Sequence, residues 1–370
     1  MTKTKSKRIF YFDALRALAI VSVIIFHIFT STNGIAAKEF VSTPTISWLI
    51  NCFLGANKIG VDIFLMLSGA LSLGRVWEIK SFLGKRLPRI TAPFLLWGFV
   101  IGVFLVLSLI FAPSLLSPKL TTPIDSFTIS GFISYLYGIY MSINKSTSQY
   151  WFFWMILGTY LIMPILNKWL LHSDLKEAEY FLFFWLITCI FQFTLNMEFP
   201  IKLDYFAGTI GLVVLGHYLR HTERKILNNP YFALMLVIIG CATSMYAMYL
   251  SFTPGDPIIK NNDRLSIYVV IEVIGIFLLF KNFSKFNLNF NFLTNQNGIF
   301  KKSISSLAKY SYGIYLNHLV IRNILFTFFE KKLSYEPLLL ILIVGTIFIS
   351  WFIMAMLNRI PYLNQVIGAK

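Results

Sequence analysis

The sequence predicts an all-α protein, a polytopic bundle of about ten transmembrane helices. The 370 residues are 57% hydrophobic and only 13% charged, roughly half the charged fraction of an average soluble domain. Mean hydropathy is +0.70. Apolar runs of about 20 residues recur along the whole chain, and a helix of that length spans a bilayer. No polar stretch is long enough for a separate soluble domain, so residues 1–370 are interpreted as one transmembrane domain.

The first predicted helix follows the basic segment MTKTKSKR. A basic segment before an apolar run resembles a secretory signal peptide, and the small residues at 34–37 would suit cleavage. However, this apolar run is long, contains Arg16 and precedes many further spans. The segment is therefore interpreted as an uncleaved first membrane helix.

The later spans are assigned from apolar runs that short polar segments separate. The predicted spans cover residues 10–30, 46–73, 90–111, 149–170, 178–196, 204–220, 230–251, 265–282, 304–328 and 336–358. The segment 125–147 contains Ser, Gly and Asn breaks. It is interpreted as an interfacial or re-entrant piece and not as a further span.

Lysine and arginine residues are distributed unevenly between the predicted loops. With a cytoplasmic N-terminus, the inner loops and span ends carry more than twice as many of them as the outer loops. An additional span at 125–147 would place the later basic loops outside. The distribution predicts a multi-pass plasma-membrane protein with both termini in the cytoplasm. The net charge of +16 is then explained by this bias and by anionic lipid, with no nucleic-acid partner.

The first span carries ionisable residues on one face. Arg16 and His27 are eleven residues apart, and Asp13 lies within about 60° of their face. Arg16 and His27 are separated by roughly 16 Å along the axis, which places Arg16 near the cytoplasm and His27 in the outer half. This polar stripe suits a long ligand that threads into the bundle. The structural alternative is an Asp13–Arg16 ion pair at the inner interface and a histidine at the helix end.

A second histidine, His318, lies in the outer half of the ninth predicted span, with Tyr315 and Arg322 near its face. The structural alternative is an aromatic helix end that contains one histidine with its ring hydrogen-bonded inside the protein. Two helices that place imidazoles at similar depth favour a functional pair, because ionisable residues inside a membrane commonly mark functional sites.

A basic loop is predicted after the second span. It carries the R-x-x-R unit Arg86 and Arg89 beside Lys85, and Pro88 and Pro93 are expected to stiffen its turn. The bias toward positive inner loops alone explains basic residues here. The functional interpretation is a phosphate clamp, since paired guanidinium groups bind phosphate oxygens in bidentate fashion.

Two acidic residues, Asp62 and Glu272, lie inside predicted spans. A carboxylate at such depth needs a partner, and Lys58 is the nearest in sequence to Asp62. Both acids are interpreted as structural. The three cysteines lack metal-ligand spacing, and no metal site is predicted.

Five segments of the chain carry a resemblance to a known family. They are FDALRALAIVSVIIFH, GVDIFLMLSG, FLGKRLPRITAPFLLW, YWFFWMILGTYLIMP and LAKYSYGIYLNH. In this order they resemble the signatures of membrane-bound acyltransferase family 3, the integral membrane enzymes that acetylate surface polysaccharides. The first contains the Arg-x10-His signature, and the third contains the basic R-x-x-R unit. The resemblance extends over nearly the whole chain.

The resemblance implies an O-acyltransferase that moves an acyl group, usually acetyl, from cytoplasmic acyl-CoA to a hydroxyl of a cell-surface or envelope glycan. Acetyl-CoA would be a donor substrate, and no permanently bound cofactor is implied. An envelope-biosynthesis protein is a further expected partner, beside the lipid bilayer. The expected roles are catalytic for His27 and His318, acyl-CoA-binding for Arg16, Arg86 and Arg89, and supporting for Asp13, Asp62 and Tyr315.

The residues themselves agree with this chemistry. An imidazole suits the general base that removes a proton from an acceptor hydroxyl, and the CoA phosphates need cations on the cytoplasmic side. Direct transfer and an acyl-histidine intermediate are both open. The main alternative is a transporter or exporter of a glycan or its precursor, since charges inside a membrane also mark transport pathways. A non-catalytic sensor or scaffold would explain the spans but not the matched histidine and arginine residues.

Overall fold

The computed structural model describes residues 9–40, 46–252, 263–285 and 298–369. Within these ranges the regular structure is helical and there is no strand, which confirms the all-α class. In chain order the α-helices are α1 (Phe10–Phe40), α2 (Ile46–Ala56), α3 (Ile59–Ser72), α4 (Ile79–Phe111), α5 (Ile129–Tyr140), α6 (Trp151–His172), α7 (Leu175–Phe191), α8 (Ile210–His221), α9 (Pro230–Phe252), α10 (Ile267–Asn282), α11 (Ile299–Phe329), α12 (Tyr335–Leu357) and α13 (Leu363–Val366).

Six helical stretches in the described residues are long and apolar enough to cross a membrane. They are Phe10–Thr32, Cys52–Ser72, Ile79–Phe111, Lys145–His172, Pro230–Leu250 and Tyr335–Leu357. The other predicted spans also contain helices, but α7, α8 and α10 have only 17, 12 and 16 residues. The chain is therefore a helical membrane protein, and the count of about ten spans stays a prediction.

The predicted span at 46–73 is divided into two helices. Helix α2 ends at Ala56 and α3 begins at Ile59. Asn57 and Lys58 lie at the break, and the Lys58 backbone N–H donates to the Ala56 carbonyl at 2.8 Å. Asparagine competes with helical hydrogen bonds and favours turns, which explains why the apolar run does not form one helix.

The R-x-x-R segment is helical, so the prediction of a loop at this position was wrong. Helix α4 begins at Ile79 and contains Arg86, Pro88, Arg89 and Pro93. Membrane helices tolerate proline because neighbouring groups satisfy the freed backbone carbonyls. Residues three apart are neighbours on a helix surface, so the two guanidinium groups project from one rigid face.

The segment 125–147 contains the short helix α5. Its 12 residues rise about 18 Å, which is less than the roughly 30 Å hydrocarbon core. The Tyr140 hydroxyl donates to the carbonyl of Leu95 on α4 at 2.8 Å. Helix α5 therefore packs against α4 and is shorter than the hydrocarbon core, and its assignment as an interfacial or re-entrant piece stays a prediction.

Helices α1, α3, α8 and α11 form the interior of the bundle. Helix α1 packs against both α3 and α11. Helices α3 and α8 approach closely, because a Cβ at Gly69 would overlap the carbonyl oxygen of Val213 and one at Gly216 would overlap that of Met66. Small residues allow such close helix contacts in membranes. This packing places the charged face of α1 against α11, inside the protein.

Candidate active site

The two predicted catalytic histidines lie next to each other across the interface of α1 and α11. The ring centroids of His27 and His318 are 5.3 Å apart. His318 is fully buried and His27 is partly buried. The Nδ1 atom of His318 lies 2.8 Å from the Tyr315 carbonyl oxygen. Because a carbonyl oxygen only accepts, Nδ1 carries the proton of the neutral ring and Nε2 keeps a free lone pair.

This lone pair has no partner in the part of the chain that the structure describes, because Nε2 of His318 is buried without a hydrogen bond. An unpartnered imidazole nitrogen beside a second imidazole can accept a hydrogen bond from a substrate hydroxyl and so orient it. The structure therefore brings the two histidines together, and their catalytic roles stay predictions.

Arg322 joins the two histidine-bearing helices. It follows His318 by one helical turn, and its Nη1 donates to the backbone carbonyl of His27 at 3.1 Å. The side chain is 4% exposed, and its Nε has no hydrogen-bond partner among the described residues. Helical spacing in the sequence places Arg322 near the face of His318, but no role was predicted for it. The four-residue spacing after His318 is the signal that identifies it.

Tyr315 lies between the histidine pair and the part of the bundle that contains Arg16. Its hydroxyl donates to the carbonyl of Gln149 at 2.5 Å. Its ring centroid lies 5.0 Å from that of Phe152 and 5.8 Å from that of His318. Tyr315, the predicted supporting residue, is thus in contact with the His318 ring and fixed by a hydrogen bond of its own.

A cavity of about 270 Å³ lies on the other side of Tyr315. Arg16, Arg86 and Arg89 all line it, so the structure brings the three predicted donor-binding arginines together. Its wall includes Lys309 and an apolar part, and the histidines lie outside it. The apolar lining residues are Phe64, Leu67, Leu71, Ile90, Phe152 and Ile156.

Arg16 takes part in both features that the sequence suggested. Its Nη1 lies 3.6 Å from Oδ1 of the buried Asp13. Its side chain keeps 34% of its surface exposed and lines the cavity. The Ser305 hydroxyl also lies 3.5 Å from the Asp13 carboxylate. Asp13 therefore orients Arg16 toward the cavity, and the ion pair does not exclude a binding role.

Arg86 is held by neighbours on three helices. Its Nη2 donates to the hydroxyl of Ser72 at 2.9 Å. Its guanidinium carbon lies 5.8 Å from the ring centroid of Phe82 and 6.0 Å from that of Tyr160. These contacts limit the rotamers of a long side chain, which lowers the entropy that ligand binding would cost.

A second cavity of about 210 Å³ adjoins the first. Arg86 and Arg89 line both cavities. The remaining lining residues are Leu71, Ser72, Arg75, Trp77, Ser81, Phe82 and Lys85. The rings of Trp77 and Phe82 are stacked, with centroids 4.1 Å apart. Basic and aromatic side chains therefore surround one recess at the Arg16 end of the bundle.

Positive charge is concentrated at this recess. Burial lowers the pKa of the Arg75 guanidinium, and the positive charges of Arg220 and Arg86 lower it further. The repulsion would be relieved by a bound anion. The sequence pattern gives no sign that Arg75 lies near Arg86.

Asp62 lies apart from both cavities. Its side chain is fully buried, and its Oδ1 accepts from Nη1 of Arg264 at 3.2 Å. The partner is therefore Arg264, which directly precedes α10, and not Lys58. The Arg264 guanidinium also lies 5.2 Å from the ring centroid of Trp151. Asp62 supports the fold at this position by joining α3 to the beginning of α10.

The C-terminal segment forms part of the larger cavity, which the sequence did not indicate. Gly368 lines the cavity, and the carbonyl of Ile367 accepts from the indole N–H of Trp97 at 3.1 Å. The segment after α13 thus packs between α4 and α11.

Comparison with known proteins gives one match. A family model described as an acyltransferase domain, that of acyltransferase family 3, matches residues 9–355. No curated protein and no solved structure matches the chain. The matched range contains both histidines and every basic residue that lines the two cavities.

Proposed function

The chain belongs to acyltransferase family 3, and on this premise we propose that it is a plasma-membrane O-acyltransferase with cytoplasmic termini. The donor is cytoplasmic acyl-CoA, acetyl-CoA in the simplest case, and the acceptor is a hydroxyl of a cell-surface or envelope glycan. The arrangement of the cavity and the histidines is the main support for this proposal. A cationic cavity ends at Tyr315, and the His27–His318 pair lies directly beyond it.

The two cavities suit the two parts of an acyl-CoA. The phosphates belong in the smaller, basic cavity with Arg75, Lys85, Arg86 and Arg89, since guanidinium groups bind phosphate oxygens strongly. The pantetheine arm belongs in the larger cavity, whose apolar walls suit its methyl and methylene groups. The thioester then lies toward Tyr315.

The distances agree with a long donor. Helix α1 is continuous from Arg16 to His27, so these residues are separated by roughly 16 Å along its axis. An extended pantetheine arm has a length similar to this separation. A donor held at the arginines therefore presents its reacting carbon near the histidines. Tyr315 and Phe152 must move aside for it to pass.

The reaction needs a base and a leaving group. His27 accepts the proton of the acceptor hydroxyl, and the hydroxyl oxygen attacks the thioester carbonyl carbon. The carbon–sulfur bond breaks, and the CoA thiolate takes up the proton that His27 accepted. His318 orients the acceptor or the thioester. The products are the glycan ester and free CoA.

The test is acyl transfer by the purified protein. It is incubated with acetyl-labelled acetyl-CoA and isolated envelope glycans, and the label is followed into the glycan fraction. The proposal predicts label on glycan hydroxyls as an ester that mild base removes. A transporter would instead move glycan across proteoliposome membranes without labelling it. Glycan that crosses unlabelled, with no ester formed, would contradict the proposal in favour of transport.

A further inference from the structure

Arg322 is the one buried lysine or arginine among the described residues. It is 4% exposed, and no described carboxylate forms an ion pair with it. Arg264, by comparison, pairs with the carboxylate of Asp62 at 3.2 Å. A guanidinium removed from water without a counter-ion is unfavourable, so its positive charge calls for a function or a compensating anion.

The hydrogen bond that Arg322 makes within the described part of the chain does not require a charge. Its Nη1 donates to the His27 carbonyl at 3.1 Å, but the hydroxyl of Thr30 already donates to the same oxygen at 2.9 Å. A neutral side chain could tie the helices together equally well. The Nε of Arg322 has no hydrogen-bond partner in the described ranges. No described group uses the charge, so it is available to a bound substrate group.

The position of Arg322 indicates when that group forms. It lies one turn after His318 on α11 and is bonded to the backbone of His27 on α1, so it adjoins the imidazole pair from both helices. Attack on a thioester turns the carbonyl oxygen into an oxyanion beside the base. A fixed positive charge in a water-poor site stabilises such an ion strongly.

We propose that Arg322 stabilises the oxyanion of the tetrahedral intermediate during acyl transfer. The inference rests on the proposed function. When the acceptor oxygen bonds to the carbonyl carbon, the carbonyl electron pair moves to its oxygen, next to the guanidinium. When the carbon–oxygen double bond forms again, the carbon–sulfur bond breaks and the thiolate leaves with the proton from His27.

A comparison of rate and binding tests the role. Arg322→Gln should lower kcat by about 10²–10³-fold and leave the KM for acetyl-CoA nearly unchanged, as for loss of an oxyanion-stabilising group. Arg322→Lys keeps the charge and should recover part of the loss. The matched control is Lys119→Gln, which removes an exposed cation paired with Glu330 near the end of α11. The control should keep the parental kcat.

Two thioester analogues separate the charge from a structural role. Carboxymethyl-CoA places a carboxylate near the position of the reacting carbonyl, and acetonyl-CoA places a neutral ketone there. The wild-type protein should bind the carboxylate analogue more tightly in calorimetry, and Arg322→Gln should lose this preference. A substitution that only loosens the helices would weaken both analogues alike.

Each result decides the inference. Parental kcat in a folded Arg322→Gln variant, or an unchanged analogue preference, contradicts it. If that variant does not fold, equal affinity of the wild-type protein for the two analogues contradicts it. Acyl transfer by the wild-type protein together with either result leaves the proposed function standing. A wild-type protein that transfers no label removes the proposed function and this inference with it.

Discussion

At the scale of single residues, the proposed donor site depends on side chains that are already oriented before a ligand arrives. Asp13 holds Arg16, and Ser72 holds Arg86. A guanidinium fixed in this way loses little rotamer freedom on binding a phosphate. The same contacts hold the charged groups of Arg16 and Arg86 in place at this end of the bundle.

Arg86→Ala and Arg89→Ala should weaken CoA binding. Each loses a charge-assisted contact with phosphate, worth about 1.5–3 kcal/mol. Isothermal calorimetry with CoA measures the change. Lys80→Ala is the matched control, because Lys80 is an exposed cation of the same helix that lines neither cavity. Parental affinity in both arginine variants would exclude the clamp.

At the scale of helices, the close contact of α3 and α8 sets the position of the cavity. Helix α3 contributes Phe64, Leu67, Ser68 and Leu71 to its lining. Because α8 is short and buried, it packs closely behind α3 only where glycine leaves room. The glycine contact therefore supports the α3 wall of this cavity.

Gly69→Ala should lower the stability of the protein. The added Cβ would overlap the backbone of Val213, and overpacking of this kind costs about 1–3 kcal/mol or more. Thermal unfolding in detergent measures the effect. Gly158→Ala is the control, since a Cβ at Gly158 on α6 meets no atom within 4 Å. Equal melting temperatures for the two variants would show that α3 and α8 can separate without cost.

At the scale of the whole molecule, the proposed reaction requires a defined orientation. The arginine cavities face the cytoplasm only if the segment 75–89 lies inside the cell. The distribution of basic residues predicts this orientation, with the segments 31–45 and 252–264 outside. The fold is compatible with it, because Arg16 and Arg86 line one cavity at one end of the bundle.

Cysteine labelling in intact cells tests the orientation. A cysteine introduced by Lys80→Cys should not react with a membrane-impermeant maleimide, while Lys202→Cys should, because Lys202 is exposed in a predicted outer loop. The background replaces the native Cys52, Cys189 and Cys241, which are free thiols. Labelling at position 80 before the cells are opened would place the donor site outside and reverse the proposed direction.

The sequence predicted the features that arise from local spacing. The helical class, the shared face of Arg16 and His27, and the R-x-x-R pair all follow from residue type and helical periodicity. The prolines at positions 88 and 93 were misinterpreted, because propensity alone does not reveal that a membrane helix can accommodate them.

Contacts between distant segments could not be predicted in the same way. Asp62 pairs with Arg264, about 200 residues away, and nearness in sequence pointed to Lys58 instead. Arg75 and Gly368 reach the cavities only through tertiary packing. The role of Tyr315 between the cavity and the histidines likewise depends on how α6 and α11 meet.

In the proposed reaction, donor binding and acyl transfer reside in different residues of one site. The most direct test measures both in His27→Ala. We expect CoA affinity close to parental and acetyl transfer lower by about 10²–10⁴-fold, as for loss of a general base. His172→Ala, at the exposed end of α6, is the control and should transfer normally. A folded His27→Ala variant that transfers acetyl at the parental rate would contradict the account.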